Sequence, residues 1–348
     1  MGEYARSLAI AQGAAVRWPR ASIQFILSRE APYAAHTPFP ATLLAASPTF
    51  HSAAVIEVME KWRPDLVVFD NAGRTAQLRA ARRCGACVVF VSARRRQRNK
   101  AFRFRWMLLL DEHWIAYPEF IAGGLSFLER LKLKFMGRPA VRFLDVILAR
   151  DRGPGAAGGR GEDCAAVPAR TGAAEGGYVL VVPGGGTGHP GAGDAIAGFL
   201  RAAQGLAAAG IDTVFVGPAG PAGPAADAAA ARLVLLGPVP QARLGELMRG
   251  ARLVIANGGS TLLQAIACGR ASIGVPIAGD QDERIRRCAA AGAAVAAPLD
   301  AAVMLETATD LLHDQPRLDA LAGRAAALGL ADGVDAAVRA LAAMLANR

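Results

Sequence analysis

Apolar residues fall along this chain in two alternating rhythms. Short apolar runs without polar alternation recur at Leu66–Phe69, Ala86–Ser92, Tyr178–Val182, Leu253–Ala256 and Ala271–Val275. Such runs are parallel strands covered on both faces. Between them, apolar positions return at helical spacing in Met1–Val16 (Tyr4, Leu8, Ala11, Ala15), Thr49–Trp62, Thr75–Cys84, Gly193–Ala209 and Leu244–Met248. Arg20–Leu27, Thr213–Val216 and Leu233–Leu236 read as further strands, and helices over Ala301–His313, Arg317–Leu328 and Val334–Ala346 close the chain. Strands alternating with helices predict an α/β protein with parallel sheets. Asp151–Gly177 breaks the rhythm with Gly, Ala, Pro and charge, so it reads as a linker between residues 1–150 and residues 178–348. A chain of 348 residues is long enough for two such domains, each with its own core.

The most informative stretch runs from Leu253 to Pro298. Asn257-Gly258-Gly259 breaks a buried strand, Ser260 or Thr261 is placed to cap the next helix, and Gly269 ends it. Pro276 stops the following strand, and Asp280-Gln281 lie just beyond its carboxyl end. Ligands of open α/β sheets collect at such ends, beside helix N-termini whose N–H groups attract anions. The pattern suits a phosphate near Gly258, Gly259 and Ser260, with a hydroxyl-rich group near Asp280 and Gln281.

A second glycine turn, Pro183–Gly191, follows the strand Tyr178–Val182. Gly186-x-Gly188-x-x-Gly191 has the form of a dinucleotide fingerprint, but the next strand ends at Gly217-Pro218 without an acidic residue for a ribose. The glycines are not followed by Lys-Ser/Thr, so the turn is not a Walker A loop. A turn whose backbone N–H groups face a diphosphate is the preferred reading, with NAD as its alternative. His189 is read as a solvent-facing loop residue or a diphosphate contact.

Charge adds a partner to this picture. The chain carries a net +10, yet it lacks a helix-turn-helix, zinc-finger or RNP-type pattern and is only 6% aromatic, so nucleic acid is not expected. Arg94, Arg95, Arg96, Arg98 and Lys100 precede Phe102, Phe104 and Trp106; Lys132, Lys134 and Arg138 lie among Phe127, Leu128, Leu131, Leu133, Phe135 and Met136. Each stretch reads either as a solvated face or as a loop that docks on anionic lipid or a phosphate-bearing acceptor. No run approaches eighteen apolar residues, and an N-terminal signal peptide is not apparent. Five scattered cysteines fit a reducing compartment, and Cys84-x-x-Cys87 has no second pair to complete a zinc site.

The glycine pair followed by Thr261, the amide of Gln264, Gly269, Pro276 and Asp280-Gln281 resembles the donor-binding signature of GT-B glycosyltransferases. The closest branch holds the peptidoglycan UDP-N-acetylglucosamine transferase and the plant UDP-glycosyltransferases, and the resemblance is strongest from Tyr178 to Pro298. Gln264 replaces the usual Glu, and Arg284 replaces an Asn. The resemblance implies two Rossmann-like domains facing across a cleft. In the N-terminal one, Gly2-Glu3-Tyr4-Ala5-Arg6 matches the turn Gly-His-x-x-Arg, so the first strand is expected to be missing, as if the start were assigned too late.

The resemblance implies metal-independent, inverting chemistry: a hexosyl- or N-acetylhexosaminyl-transferase moving sugar from a UDP donor to a lipid-linked or cell-envelope acceptor. The nucleotide sugar is substrate, and neither cofactor nor metal is implied. By resemblance the donor is held by Gly185, Gly186, Thr187, Gly188, Val239, Asn257, Gly258, Gly259, Ser260, Thr261, Gln264, Asp280 and Gln281. Glu3 stands where relatives carry a catalytic His, and Asp70, at a strand end, is the second candidate base. Arg94, Arg95, Arg96, Arg98 and Lys100 are assigned to the acceptor or an anionic membrane surface, which implies a cytoplasmic protein at the inner face of the cytoplasmic membrane. A nucleotide-sugar hydrolase or epimerase on the same fold, and a catalytically impaired nucleotide-sugar-binding subunit, are the alternatives.

Overall fold

The computed structural model describes residues 2–31, 33–148, 177–184, 192–218 and 232–346. Contacts divide the chain into two units: Gly2–Asp145 with the C-terminal segment from Asp332, and Val146–Ala331. The expected linker, apart from Gly177, lies outside the described residues.

The first unit contains, in order, α1 (Gly2–Arg17), β1 (Phe25–Ser28), β2 (Ala41–Leu44), α2 (Ser52–Trp62), β3 (Leu66–Asp70), α3 (Thr75–Arg83) and β4 (Cys87–Ser92). There follow α4 (Arg95–Ala101), α5 (Phe104–Met107), β5 (Glu112–Ile115), α6 (Glu119–Ala122), α7 (Phe127–Met136) and β6 (Ala140–Phe143). Strands β3, β4, β5 and β6 form one parallel sheet in that order, and β1 pairs with β2 as a separate parallel ribbon. Strand β4 explains its unbroken apolar run. Val88 and Phe90 pack with Leu78 and Trp106 on one face, while Val89 and Val91 pack with Ile10 and Trp114 on the other. The last helix, Gly333–Ala346, returns to this second face through Ala337, Ala340 and Leu341.

Strand β5 has no such run, because Glu112 and His113 are buried within it. Arg142 donates to both Glu112 oxygens at 2.8 and 3.0 Å, and Trp114 donates to the same carboxylate. His113 Nε2 lies 2.8 Å from Ser92 Oγ. Burial, reinforced by the charge of Arg98, pushes the His113 pKa down to about 3. An unfolded histidine titrates near about 6.5. The unfolded chain therefore binds a proton that the folded chain refuses, and stability present above that value is lost as pH falls toward the folded pKa. Urea unfolding midpoints are expected to drop between about pH 7 and about pH 4, less steeply in His113→Gln. An equal drop in the variant would assign the acid sensitivity elsewhere.

The second unit contains β7 (Tyr178–Val182), α8 (Ala192–Ala208), β8 (Thr213–Val216), β9 (Leu233–Leu236), α9 (Gln241–Gly250) and β10 (Ala251–Asn257). It continues with α10 (Ser260–Ala267), β11 (Ala271–Val275), α11 (Gln281–Ala290), β12 (Val295–Ala296), α12 (Ala301–His313) and α13 (Gln315–Ala327). All six strands are parallel, in the order β12-β11-β10-β7-β8-β9. The chain starts in the middle at β7, winds outward through β8 and β9, then returns to build the other half from β10. The strand order reverses between β7 and β10, and in open α/β sheets ligands bind outside the carboxyl ends at that reversal.

Candidate functional site

The chain leaves β7 through Pro183-Gly184 and β10 through Gly258-Gly259, both at this reversal point. Asn257, the last residue of β10, is buried and joins them. Its Nδ2 donates to Pro183 O at 2.6 Å, and its Oδ1 accepts from Gly259 N–H at 2.9 Å. Gly184, at φ +79°, passes so close that a Cβ there would lie 2.0 Å from Asn257 Nδ2. Only glycine combines that left-handed backbone with that approach. Gly258 is confined from the other side, where a Cβ would meet Ile285 at 2.6 Å.

The expected capping by Ser260 or Thr261 is corrected here. Gly259 occupies the cap position of α10 without a side chain to fold back, and Ser260 and Thr261 are the first two helical residues. The leading N–H groups of α10 lack intrahelical partners, and with the helix dipole they form an anion-binding end. Thr261 is buried and Ser260 is exposed. Gly185, Gly186, Thr187 and Gly188, as well as His189 and Gly191, lie outside the described residues.

Two neighbouring side chains, Gln281 and Arg284, brace the loops around the turn. Gln281 is buried, its Oε1 accepting from Ile277 N–H at 3.0 Å, which fixes the loop after β11. Arg284, which departs from the resembled pattern, is also buried and donates to Gly258 O; its Nη2 lies 3.4 Å from Asp280. A residue that read as a defect thus ties the two loops together. The carboxylate of Asp280 is exposed and able to accept hydrogen bonds from hydroxyl groups. Gln264 Nε2 donates to Ile147 O at 3.0 Å and to Gln241 Oε1 at 3.1 Å, so its amide binds protein groups beside the expected ribose position. Val239 sits half-buried in the turn between β9 and α9.

In the first unit, β3 ends on Asp70. Arg6 Nε donates to Asp70 Oδ2 at 3.0 Å, Arg6 Nη2 donates to Oδ1, and Ser7 Oγ donates to Oδ2 at 2.8 Å. Burial pushes the Asp70 carboxyl up, and the charge and hydrogen bonds of Arg6 oppose it. Both oxygens are engaged in anchoring α1. Glu3, exposed in the first turn of α1, accepts at Oε1 from Asn71 Nδ2 at 2.7 Å. Asn71 itself is left-handed at φ 53°, and its Oδ1 accepts from Ala93 N–H at 2.7 Å. Tyr33 stacks on Tyr4 at 4.0 Å beside this group, and its pKa is raised by burial and then by Glu3.

The basic stretch is a helix rather than a loop, and it divides. Arg94, Arg95 and Arg96 are exposed. Arg98 is only 9% exposed: it grips Glu129 at 2.9 and 2.8 Å and donates to the carbonyls of Ala122, Gly123 and Gly124. Lys100 donates to Gly73 O at 2.7 Å and lies 4.2 Å from the Trp106 ring centroid, and burial lowers its pKa. Phe102 and Trp106 are core residues. Phe104 and Leu108 stay exposed beside them, and α7 adds a larger exposed apolar face, where Phe127 and Phe135 are 71% and 83% exposed beside exposed Leu128 and Leu131. A capping box between Ser126 and Glu129 starts that helix, and Gly137 ends it. No described helix is long and apolar enough to cross a membrane. Cys84 and Cys87 donate weakly to the carbonyls of Met59 and Met344.

No family model and no curated protein matches this sequence. Solved structures, however, resemble it over nearly its whole length. A UDP-glucosyltransferase from Polygonum tinctorium is similar at TM-score 0.66 and 13% identity, over 98% of this chain and 96% of that one. MurG from Acinetobacter baumannii is similar at TM-score 0.61 and 16% identity, over 97% and 95% of the two chains. A UDP-N-acetylglucosamine 2-epimerase is similar at TM-score 0.58 and 15% identity, over 96% and 91%. The chain resembles the GT-B glycosyltransferases, and its fold is theirs.

Proposed function

We propose that this protein is a metal-independent glycosyltransferase that moves a hexosyl or N-acetylhexosaminyl group from a UDP-sugar to a lipid-linked acceptor of the cell envelope, with inversion. The observation that carries this reading is Asn257 tying Pro183-Gly184 to Gly258-Gly259 at the reversal point of a six-stranded parallel sheet. Such a cradle presents backbone N–H groups and the N-terminus of α10 to a diphosphate. Fixed donors aimed at a leaving group stabilise its developing charge without reorganising during the reaction.

In the proposed reaction the acceptor hydroxyl oxygen bonds the anomeric carbon as the bond from that carbon to the diphosphate oxygen breaks. The electron pair of the broken bond leaves on the diphosphate, and the hydroxyl proton passes to Glu3. Glu3 is preferred to Asp70 because the Asp70 oxygens are held by Arg6 and Ser7. Gln264, Val239, Asp280 and Gln281 are the proposed contacts to ribose, base and sugar, and Gly185, Gly186, Thr187 and Gly188 are proposed donor contacts as well. Release of UDP from a panel of UDP-sugars, with and without a bacterial lipid extract, tests this. UDP release only with the extract supports transfer. The similarity to an epimerase favours a second reading, in which UDP or a changed sugar appears without any acceptor.

The acceptor is proposed to lie at the inner face of the cytoplasmic membrane, reached through α7 and the exposed arginines Arg94, Arg95 and Arg96. Aromatic and leucine side chains gain by entering the acyl boundary, and basic residues gain at an anionic surface. Cosedimentation with vesicles rich in phosphatidylglycerol is expected to exceed that with neutral vesicles. Each of Phe127→Ser and Phe135→Ser is expected to weaken it by about tenfold, given about 1.5–3 kcal/mol per buried side chain. Equal sedimentation of the variants would remove α7 from the docking surface.

A further inference from the structure

We infer that Asn71 is the positioning residue of the proposed base, an inference that rests on the transferase reading. Glu3 alone is a poorly fixed group: it is exposed, on a flexible side chain, in the first turn of a helix. Asn71 removes that freedom. Its backbone takes the left-handed conformation at φ 53° just past the end of β3. One end of its amide is then held by Ala93 N–H at 2.7 Å, just past the end of the neighbouring strand β4. That bond decides which end is oxygen, so the other end must present N–H to Glu3, and it does, at 2.7 Å. The sheet therefore reaches Glu3 through two hydrogen bonds and one side chain.

The consequence is chemical as well as geometric. Glu3 Oε1 accepts from the amide, so Oε2 is the oxygen proposed to take the acceptor proton. A second anchor lies next door in the chain: Asp70 holds Arg6 and Ser7, one turn further along α1. Asp70 fixes the helix and Asn71 fixes the carboxylate. Misplacing a reacting group by about 1 Å costs roughly 10²-fold in rate.

Two substitutions separate this role from a merely structural one. Asn71→Gly keeps the left-handed backbone and deletes both bonds. Asn71→Asp keeps an acceptor for Ala93 N–H and sets a carboxylate against Glu3 in place of the donor. With the UDP-sugar that the full-length wild type turns over, both are expected to lower kcat by roughly 10²-fold while the donor KM and the calorimetric affinity for UDP stay unchanged. Combined with Glu3→Gln, Asn71→Gly is expected to add little further loss, since residues acting as one unit are not additive. A wild-type kcat in Asn71→Gly, or fully multiplicative losses in the double variant, overturns the inference and leaves the transferase reading standing. A wild type that neither binds UDP nor turns over any UDP-sugar overturns both.

Discussion

Gly184→Ala is expected to weaken UDP binding by up to about a hundredfold and to lower the thermal midpoint. The added Cβ would lie 2.0 Å from Asn257 Nδ2 and 3.0 Å from its Cγ, too close for any real contact. Asn257 has nowhere to retreat, because Pro183 O and Gly259 N–H hold its two ends. Moving it breaks bonds worth about 0.5–1.5 kcal/mol each, and the left-handed backbone adds about 1–2 kcal/mol of strain for any residue with a Cβ. A loss of about 2–5 kcal/mol is divided between the fold and the cradle, because Gly259 begins α10 and its displacement turns the helix end away from the anion. Gly323→Ala is the matched control. It lies within α13 with open space around its Cβ, and alanine there is expected to raise stability by about 0.5–1 kcal/mol. Calorimetric UDP titration and thermal melts of the two variants read both effects. Unimpaired UDP binding by Gly184→Ala would separate the cradle from the ligand.

Glu3→Gln is expected to lower turnover by about 10²–10⁴-fold, the usual range for a lost general base, and to leave UDP affinity alone. The substitution keeps the side-chain length and the bond from Asn71, so only proton acceptance is removed. Asp70→Asn should behave differently. It leaves the buried Arg6 guanidinium without its carboxylate, and breaking a buried ion pair from one side costs about 3–5 kcal/mol. Turnover in Asp70→Asn is thus expected to fall together with the urea midpoint, whereas in Glu3→Gln it falls alone. Loss of turnover in Asp70→Asn at unchanged stability, with Glu3→Gln fully active, would exchange their roles.

The parts read correctly from sequence share one physical property: their signal is local. Val88–Val91 and Leu253–Ala256 are apolar because both sheet faces cover them, and that shows in consecutive residues. Gly258 and Gly259 break a strand visibly. Strand β5 was hidden because Glu112 finds Arg142, and His113 finds Ser92, from distant parts of the chain. Arg98 read as one more surface charge for the same reason, since its partner Glu129 lies 31 residues away. Of the aromatics in the basic stretch, which read either as a solvated face or as a docking loop, Phe102 and Trp106 are core while Phe104 is exposed, a split that spacing alone does not reveal. Arg284 was visible only as a departure from a pattern, and its bond to Gly258 O requires the fold of the intervening loop. Helix Gly333–Ala346 has an Ala/Leu stripe that marks a buried face without saying whose surface buries it. Asn71 had no signal beyond standing at a strand end, because its importance lies in two bonds to residues that are remote in sequence.

The first measurement to make is calorimetric titration of UDP into the full-length protein, with GDP and NADH titrated alongside. A nucleotide-sugar transferase of this design binds UDP saturably, binds NADH not at all, and binds UDP more weakly in Gly184→Ala. Saturable NADH binding, or no binding of any of the three by folded protein, would contradict the donor assignment.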